Sequence, residues 1–256
     1  MNLLKRGDVI GIISPSWVAD KADYERYAKG IEELGFHVRF GKNIYKDTYK
    51  YTASVSERVD DLNEMIYDEN VRLVFFGGGY GSADLLPYID YKKIKETPKL
   101  FLSYSDGTSI LNAIYANTGI TTYYGQTPGL FDNISEYDRK QFVSHLIDGA
   151  VTAHSSNSDW YTITEGCCEG SLVGGYLLNF VLSLGNSFFP YQTDRNYILF
   201  IEDLDKFQSV QNVSMFLTCI GQSRLMKQVT GLLFGHYSDE ISPLLFEVLE
   251  RFGKKH

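Results

Sequence analysis

Short apolar runs alternate with amphipathic segments along the first half of the chain. In one apolar run, 71–76, no polar alternation follows Arg72, as expected for a strand that is covered on both faces. Gly35 is predicted to end the first amphipathic helix, and Ser56 is predicted to cap the second. The predicted strands are 9–14, 37–40, 71–76, 100–103 and 120–124, and the predicted helices are 21–34, 56–67, 82–86 and 107–117. This alternation predicts a parallel sheet, with ligand sites beyond the carboxyl ends of its strands.

A second, smaller group of elements follows a polar crossing segment that is rich in Ser, Thr, Asn and Gly. A polar helix is predicted at 135–148, before the crossing segment. The elements predicted after that segment are helix 175–184, strand 197–201, helix 209–220, strand 229–234 and helix 243–252. We therefore expect an α/β protein of two domains. The N-terminal parallel-sheet domain covers 1–150, a linker covers 151–168, and a smaller C-terminal α/β domain covers 169–256.

Composition narrows the classes of function. With 44% hydrophobic and 22% charged residues, the 256-residue chain can bury a substantial core. The net charge is −8 and no Lys/Arg cluster forms a stripe, which argues against nucleic acid or anionic lipid as a partner. No apolar run is long enough to span a membrane and the N-terminus has no apolar signal region, so we expect a cytoplasmic protein. The three cysteines and five histidines show no metal-ligand spacing.

The first candidate for chemistry is Ser105, which follows the predicted strand 100–103 and precedes an apolar helix. A serine on a sharp strand-to-helix turn has the geometry of a nucleophile elbow, and the helix N-terminus behind it favours developing negative charge. The local string is Ser-x-Ser-x-Gly rather than Gly-x-Ser-x-Gly. In the alternative interpretation, Ser105 or Asp106 is an N-cap that begins the helix.

The second candidate is the glycine run Gly77–Gly81, which directly follows the third predicted strand. It is neither a Walker loop nor a dinucleotide fingerprint, because it lacks the Gly-Lys-Ser/Thr ending and the spacing that those motifs need. A glycine run lets the backbone approach a ligand and point N–H groups at a phosphate or at an oxyanion beside a nucleophile. The alternative interpretation is a tight strand-to-helix turn.

The third candidate is Glu202, which ends the apolar strand 197–201. A carboxylate at such a position can orient a histidine, as the third member of a catalytic triad does. The alternatives are a loop acid or a helix-capping group. Asp203 and Asp205 beside it fit solvated loop charges.

Taken together, these segments resemble the LD-carboxypeptidase family of serine peptidases, which includes the microcin-immunity carboxypeptidases. They fall in the family's order and cover nearly the whole chain. The matching stretches are Gly11–Trp17, Gly78–Ser82, Leu85–Asp90, Tyr104–Thr108, Tyr124-Gly125, Gly170–Gly175, Ile198–Asp203 and Gly231–Gly235.

The resemblance implies roles for the three candidates. Ser105 matches the nucleophile, Glu202 matches the triad carboxylate, and the backbone N–H groups of Asp106 and of Gly78 and Gly79 match the oxyanion hole. The family needs no metal and no cofactor, and its precedent favours a homodimer. Its members cleave the bond between an L-centre and a C-terminal D-residue in murein peptides, or amide bonds in peptide-nucleotide antibiotics and acyl-sulfamoyl adenylates. The chemistry is acyl-enzyme formation with a histidine base, followed by hydrolysis.

The chain also departs from the family pattern. Gly77 stands where members usually carry Arg, Ser103 where they carry Gly, and Tyr176 where many carry Asn. The family's triad histidine lies in a Gly-His stretch beyond the strand that contains Gly231-Leu232, after a further helix and strand. The sequence reaches His256 where that helix should end.

We therefore expect a C-terminally short member whose hydrolytic activity is impaired unless another group supplies the base. The alternative, from a different class, is a non-catalytic protein of the same fold that binds peptides or nucleotide-like ligands. His236, which follows Gly235 at a strand end, is the candidate for a replacement base. The favoured interpretation is that His236 takes no part, because it lies one structural element too early for a general base.

Overall fold

The structure is a computed structural model that describes residues 3–18, 20–150, 156–202, 209–235 and 242–256. The chain forms two compact units, Met1–Asn157 and Ser158–His256. Each unit carries its own parallel sheet. Among the described residues, no helix combines the length and apolar character needed to cross a membrane.

The first unit contains the predicted five-stranded parallel sheet, in the order β2-β1-β3-β4-β5. Its strands are β1 (Val9–Ile13), β2 (His37–Phe40), β3 (Val71–Phe76), β4 (Leu100–Ser103) and β5 (Tyr123–Tyr124). Its α-helices are α1 (Lys21–Glu32), α2 (Val55–Tyr67), α3 (Tyr91–Glu96), α4 (Thr108–Thr118) and α5 (Glu136–Phe142). A 3-10 helix spans Ser82–Tyr88, and a π-type turn, Val143–Ile147, continues α5.

Helices cover both faces of this sheet, which explains the uninterrupted apolar runs. On one face Ile10, Ile12 and Phe75 are fully buried in a core that includes α1 and the ring of Phe131. On the other face α2 packs so closely that a Cβ atom at Gly11 would lie 2.7 Å from Met65 Sδ. Strands that are buried on both sides cannot show the polar alternation of a half-exposed sheet.

Two predictions about this unit are wrong in detail. The second helix is capped by Ser54 rather than Ser56: Ser54 Oγ accepts from Glu57 N at 3.4 Å, while the Glu57 carboxylate accepts from Ser54 N at 2.9 Å. This reciprocal pair is a capping box. The fifth strand is shorter than predicted, because Ile120 N donates to Thr118 Oγ1 and Thr122 Oγ1 donates to Leu111 O. Ile120 and Thr122 therefore bond to α4, and the pairing with β4 is formed by Tyr123 and Tyr124.

The second unit has a smaller parallel sheet of three strands, in the order β6-β7-β8. Its elements are β6 (Ser171–Tyr176), α6 (Leu177–Ser183), β7 (Tyr197–Glu202), α7 (Val210–Gln222), β8 (Val229–Phe234) and α8 (Pro243–Lys255). The sequence pattern does not predict β6, and the helix predicted from residue 175 begins instead at Leu177. Gly174 and Gly175 have no side chains that could show the period of the strand, and their φ angles are +143° and +130°. A Cβ atom at Gly174 would overlap the carbonyl oxygen of Phe200.

Candidate active site

Ser105 lies in a strained turn between a strand and a helix. β4 ends at Ser103, a single 3-10 turn covers Ser105–Gly107, and α4 begins at Thr108. The φ angle of Ser105 is +52°, and among the described residues only one other non-glycine residue has a positive φ. Such a conformation costs on the order of 1–3 kcal/mol and persists only where its surroundings enforce it. The turn therefore has the geometry of a nucleophile elbow.

Hydrogen bonds from both sides keep the Ser105 backbone in this conformation. Its amide N donates to the Tyr124 hydroxyl at 2.6 Å, and its carbonyl accepts from Thr108 Oγ1 at 2.6 Å. Tyr124 ends β5, the strand beside β4. The alternative interpretation of Ser105 or Asp106 as a helix cap is wrong, because Gly107 is the N-cap residue of α4 and no side chain caps that helix.

The glycine run passes directly against Ser105. A Cβ atom at Gly78 would lie 2.8 Å from Ser105 Cβ and 3.2 Å from Ser105 Oγ. A Cβ atom at Gly79, whose φ is +141°, would lie 2.6 Å from the carbonyl oxygen of Ser16. A residue with any side chain would collide at either position. The fold thus brings together Ser105 and the backbone of Gly78, two predicted site residues that are far apart in sequence.

The Asp106 side chain joins three loops beneath the turn. Its Oδ2 accepts from Ser16 Oγ at 2.6 Å and from Ser82 N at 2.8 Å. Ser82 Oγ in turn donates to the Asp106 carbonyl at 2.6 Å. All three side chains are buried. The loop after β1, the glycine run and the Ser105 turn therefore share one hydrogen-bond network.

Sequence reasoning did not assign four residues that shape this site: Ser16, Ser82, Tyr124 and Arg58. The first three lie in the quoted family stretches, but nothing in their local pattern shows what they contact. Arg58 left a detectable signal, since it occupies the same helical face as Leu62 and Met65 and is only 2% exposed. A charged residue at a core position of an amphipathic helix needs buried partners.

Glu202, the predicted triad carboxylate, lies in the second unit. It is the last residue of β7, is partly buried and is in register with Tyr176 of β6. A Cβ atom at Gly235 would lie 3.1 Å from Glu202 Cβ, so the residue that follows β8 passes close to the base of the Glu202 side chain. His236, Asp203 and Asp205 lie outside the described residues. Within the described ranges, no group of three or more His, Cys, Asp or Glu side chains could hold a metal ion.

Comparison with known proteins identifies the class. Residues 10–125 match the family model of the LD-carboxypeptidase N-terminal domain, and residues 169–255 match that of the LD-carboxypeptidase C-terminal domain. Together the two matches cover well over half of the chain. The chain belongs to the LD-carboxypeptidase family.

Three individual proteins illustrate the similarity. A probable murein peptide carboxypeptidase of Bacillus subtilis (strain 168) is 33% identical over 209 residues, which cover 79% of this chain and 64% of that protein. The crystal structure of an MccF-like protein from Bacillus anthracis strain Ames is 30% identical, with a TM-score of 0.85 over 99% of this chain and 84% of the other. The microcin C7 self-immunity protein MccF in complex with aspartyl sulfamoyl adenosine is 26% identical, with a TM-score of 0.80 over 98% of this chain and 85% of the other.

Proposed function

We propose that this protein is a serine-type hydrolase of the LD-carboxypeptidase family and that Ser105 is its nucleophile. Its substrates are murein peptides with a C-terminal D-residue, or peptide-nucleotide compounds related to microcins. The observation that carries the proposal is the contact between Ser105, at φ +52°, and the glycine run at Gly78. Such an arrangement presents a hydroxyl beside backbone N–H groups at the carboxyl edge of a parallel sheet, where α/β enzymes build their sites.

The chemistry follows the acyl-enzyme route. Ser105 Oγ attacks the carbonyl carbon and loses its proton to a base, and the backbone N–H groups of Asp106, Gly78 and Gly79 stabilise the oxyanion. The C–N bond then breaks, and the amine leaves with the proton that the base took from Ser105. Water hydrolyses the resulting ester. In this scheme Glu202 orients the group that acts as the base, as a triad carboxylate orients its histidine.

The two substrate classes share this chemistry and differ in what leaves. With a murein peptide, the leaving group is a C-terminal D-amino acid. With an aminoacyl sulfamoyl adenosine, the amide nitrogen belongs to the sulfamoyl group and the amino acid is released. The similarity to MccF, whose structure holds aspartyl sulfamoyl adenosine, supports the second class. The similarity to the murein peptide carboxypeptidase supports the first.

A direct assay offers both substrates to the purified protein. An L,D-tetrapeptide that ends in D-alanine and aspartyl sulfamoyl adenosine are each incubated with the wild type and with Ser105→Ala, and the released amino acid is quantified. We expect release from at least one compound by the wild type, and a loss of about a thousandfold or more in Ser105→Ala. Tight binding of either compound without turnover would contradict the hydrolase and favour the non-catalytic binder.

We further propose that the protein acts in the cytoplasm as a homodimer, as the family resemblance implies. Sedimentation analysis should then give twice the chain mass of 29.1 kDa. A mass of one chain at all accessible concentrations would contradict the dimer. Fractionation of the host cell tests the location.

A further inference from the structure

A buried arginine lies behind the glycine run and contacts two of the loops that form the site. Arg58, on α2, donates from Nη1 to the carbonyl oxygens of Pro15 at 2.7 Å and Gly81 at 2.8 Å. Its Nε donates to the Ala53 carbonyl at 3.0 Å, and its Nη2 pairs with Asp84 at 3.2 Å. The Asp84 side chain is half-exposed, so the buried part of the guanidinium is satisfied chiefly by backbone carbonyls.

The peptide unit between Gly81 and Ser82 connects Arg58 to Asp106. Its carbonyl accepts from Arg58, and its N–H donates to Asp106 Oδ2 at 2.8 Å. The loop after β1 is bound in the same way, because Arg58 contacts the Pro15 carbonyl and Asp106 accepts from the adjacent Ser16 hydroxyl. Two opposite charges on different elements therefore bind the same two loops. One of these charges directly follows Ser105 in the chain.

The glycine run depends on such anchors. Gly77, Gly78, Gly79 and Gly81 have no side chains that could pack and fix their backbone, and glycine loses more conformational freedom on folding than any other residue. One end of the run is continuous with β3. Tyr80 N is bound to the Ser16 carbonyl at 3.1 Å, and the other end is bound through the Gly81–Ser82 peptide. Hydrogen bonds to charged groups are stronger than neutral ones and fix geometry more tightly.

We propose that Arg58 is a positioning residue that keeps the glycine run at its working distance from Ser105. It contacts no reacting atom and acts through the Gly81–Ser82 peptide and Asp106. The proposal rests on the proposed function in so far as the glycine run supplies the oxyanion hole. Without Arg58 the carbonyls of Pro15, Ala53 and Gly81 lose a buried donor, and we expect the loop to move. A displacement of about 1 Å at a reacting group can cost about a hundredfold in rate.

The test compares Arg58→Met and Arg58→Lys with two matched controls. Arg39→Met removes a half-exposed arginine whose described ion pairs are made with Glu64 on α2 and with Asp68 just beyond it. Asp84→Asn removes the exposed ion pair of Arg58 but none of its bonds to carbonyls. Two properties are measured well below the melting temperature of each variant. One is the rate at which a fluorophosphonate labels Ser105, and the other is the rate of amide hydrogen exchange over residues 78–82.

We expect Arg58→Met to lower the labelling rate about a hundredfold and to raise exchange over 78–82 about tenfold or more. Arg58→Lys should fall between Arg58→Met and the wild type, because a single ammonium lacks the planar fork that reaches several carbonyls. Both controls should stay within about twofold of the wild type. If Arg58→Met does not fold, Arg58→Lys decides, with a threefold or greater loss of labelling and faster exchange as the expected result.

Wild-type labelling and exchange in a folded Arg58 variant would overturn the proposal. So would an equal effect in Arg39→Met, because that would indicate a general loss of stability. If the wild type itself is not labelled, the proposed function fails separately. Amide exchange then decides the role of Arg58: faster exchange confined to its variants supports the role, and unchanged exchange overturns it.

Discussion

Gly78 and Ser105 are in contact just beyond the ends of two neighbouring strands of the sheet: a Cβ atom at Gly78 would lie only 2.8 Å from Ser105 Cβ. Gly78 follows β3, and Ser105 follows β4. The space between Gly78 and Ser105 can therefore hold backbone atoms but no side chain at position 78. This contact joins the glycine run and the Ser105 turn into one candidate site, which substitutions at either segment can test.

Gly78→Ala should remove the activity of Ser105. The new methyl group has to displace either the glycine run or the serine, because real Cβ atoms do not approach to 2.8 Å. We expect fluorophosphonate labelling of Ser105 to fall about a hundredfold or more. Gly166→Ala is the matched control, since a Cβ atom there would meet nothing within 4 Å, and it should leave labelling unchanged. Equal labelling of the two variants would show that the Gly78 contact has no role.

Tyr124→Phe should loosen the Ser105 turn. The substitution removes the hydroxyl that accepts from Ser105 N at 2.6 Å and keeps the ring. An unsatisfied amide costs about 1–3 kcal/mol if it stays buried, so we expect a lower free energy of unfolding and slower labelling of Ser105. Chemical denaturation and the labelling assay measure the two effects. Tyr161→Phe, at an exposed ring that packs on Phe246, should change neither. Wild-type stability and labelling in Tyr124→Phe would contradict this account of the turn.

The sequence predicts those elements whose residues show a local pattern of apolar and polar positions. Strands buried on both faces appear as continuous apolar runs, and four of the five strands of the first sheet were predicted closely. β6 escaped detection because Gly174 and Gly175 replace the side chains that would have shown its period. The capping box of α2 begins two residues before the predicted cap, since Ser54 and Ser56 are equally suitable in composition and only the position of Glu57 distinguishes them.

The candidate site divides in the same way. The Ser105 turn and the glycine run were recognisable, because each is a short motif directly after a strand. The Arg58 network was not, because its hydrogen bonds join residues 43 and 23 positions apart. The side chain of Asp106 reaches 90 and 24 positions along the chain, to Ser16 and Ser82. Tertiary packing determines which loops bind the Asp106 carboxylate. Such contacts leave no pattern in the local sequence.

Removing the imidazole of His236 should not change hydrolysis. General-base work needs a side chain within about 3 Å of the proton it takes, directly or through one water, and the end of β8 lies one element before the family's histidine. We expect equal rates with an L,D-tetrapeptide for the wild type and His236→Ala, and for the exposed control His37→Ala. A hundredfold drop in His236→Ala alone, with the circular dichroism spectrum unchanged, would show that His236 is the base.

The contribution of Asp61 to stability should decrease as the pH rises from about 4 to about 6. Burial raises the pKa of this carboxyl to about 6 from an ordinary value of 3.8, with a further contribution from Glu64, and is opposed by hydrogen bonds from Asn43 and by Lys42. Between the two values the folded state binds a proton that the unfolded state releases. The stabilisation is therefore complete below the unfolded pKa and is lost as the pH rises through the folded pKa.

Urea unfolding across pH 4–7 measures this contribution. Asp61→Asn cannot titrate, so its free energy of unfolding should decline less over that window than that of the wild type. The solvent-exposed neighbour Asp60 provides the control, and Asp60→Asn should keep the wild-type slope. Identical slopes for the wild type and Asp61→Asn would contradict the raised pKa.

The central claim, that Ser105 is an activated nucleophile, is tested most directly by mass spectrometry of the protein after treatment with a fluorophosphonate. The account predicts one covalent adduct per chain, mapped to Ser105 and absent from Ser105→Ala. Other serines of the same chain, such as the exposed Ser56, serve as internal standards of ordinary reactivity. A folded wild-type protein that carries no adduct at Ser105, or that is modified equally at its exposed serines, would contradict the claim.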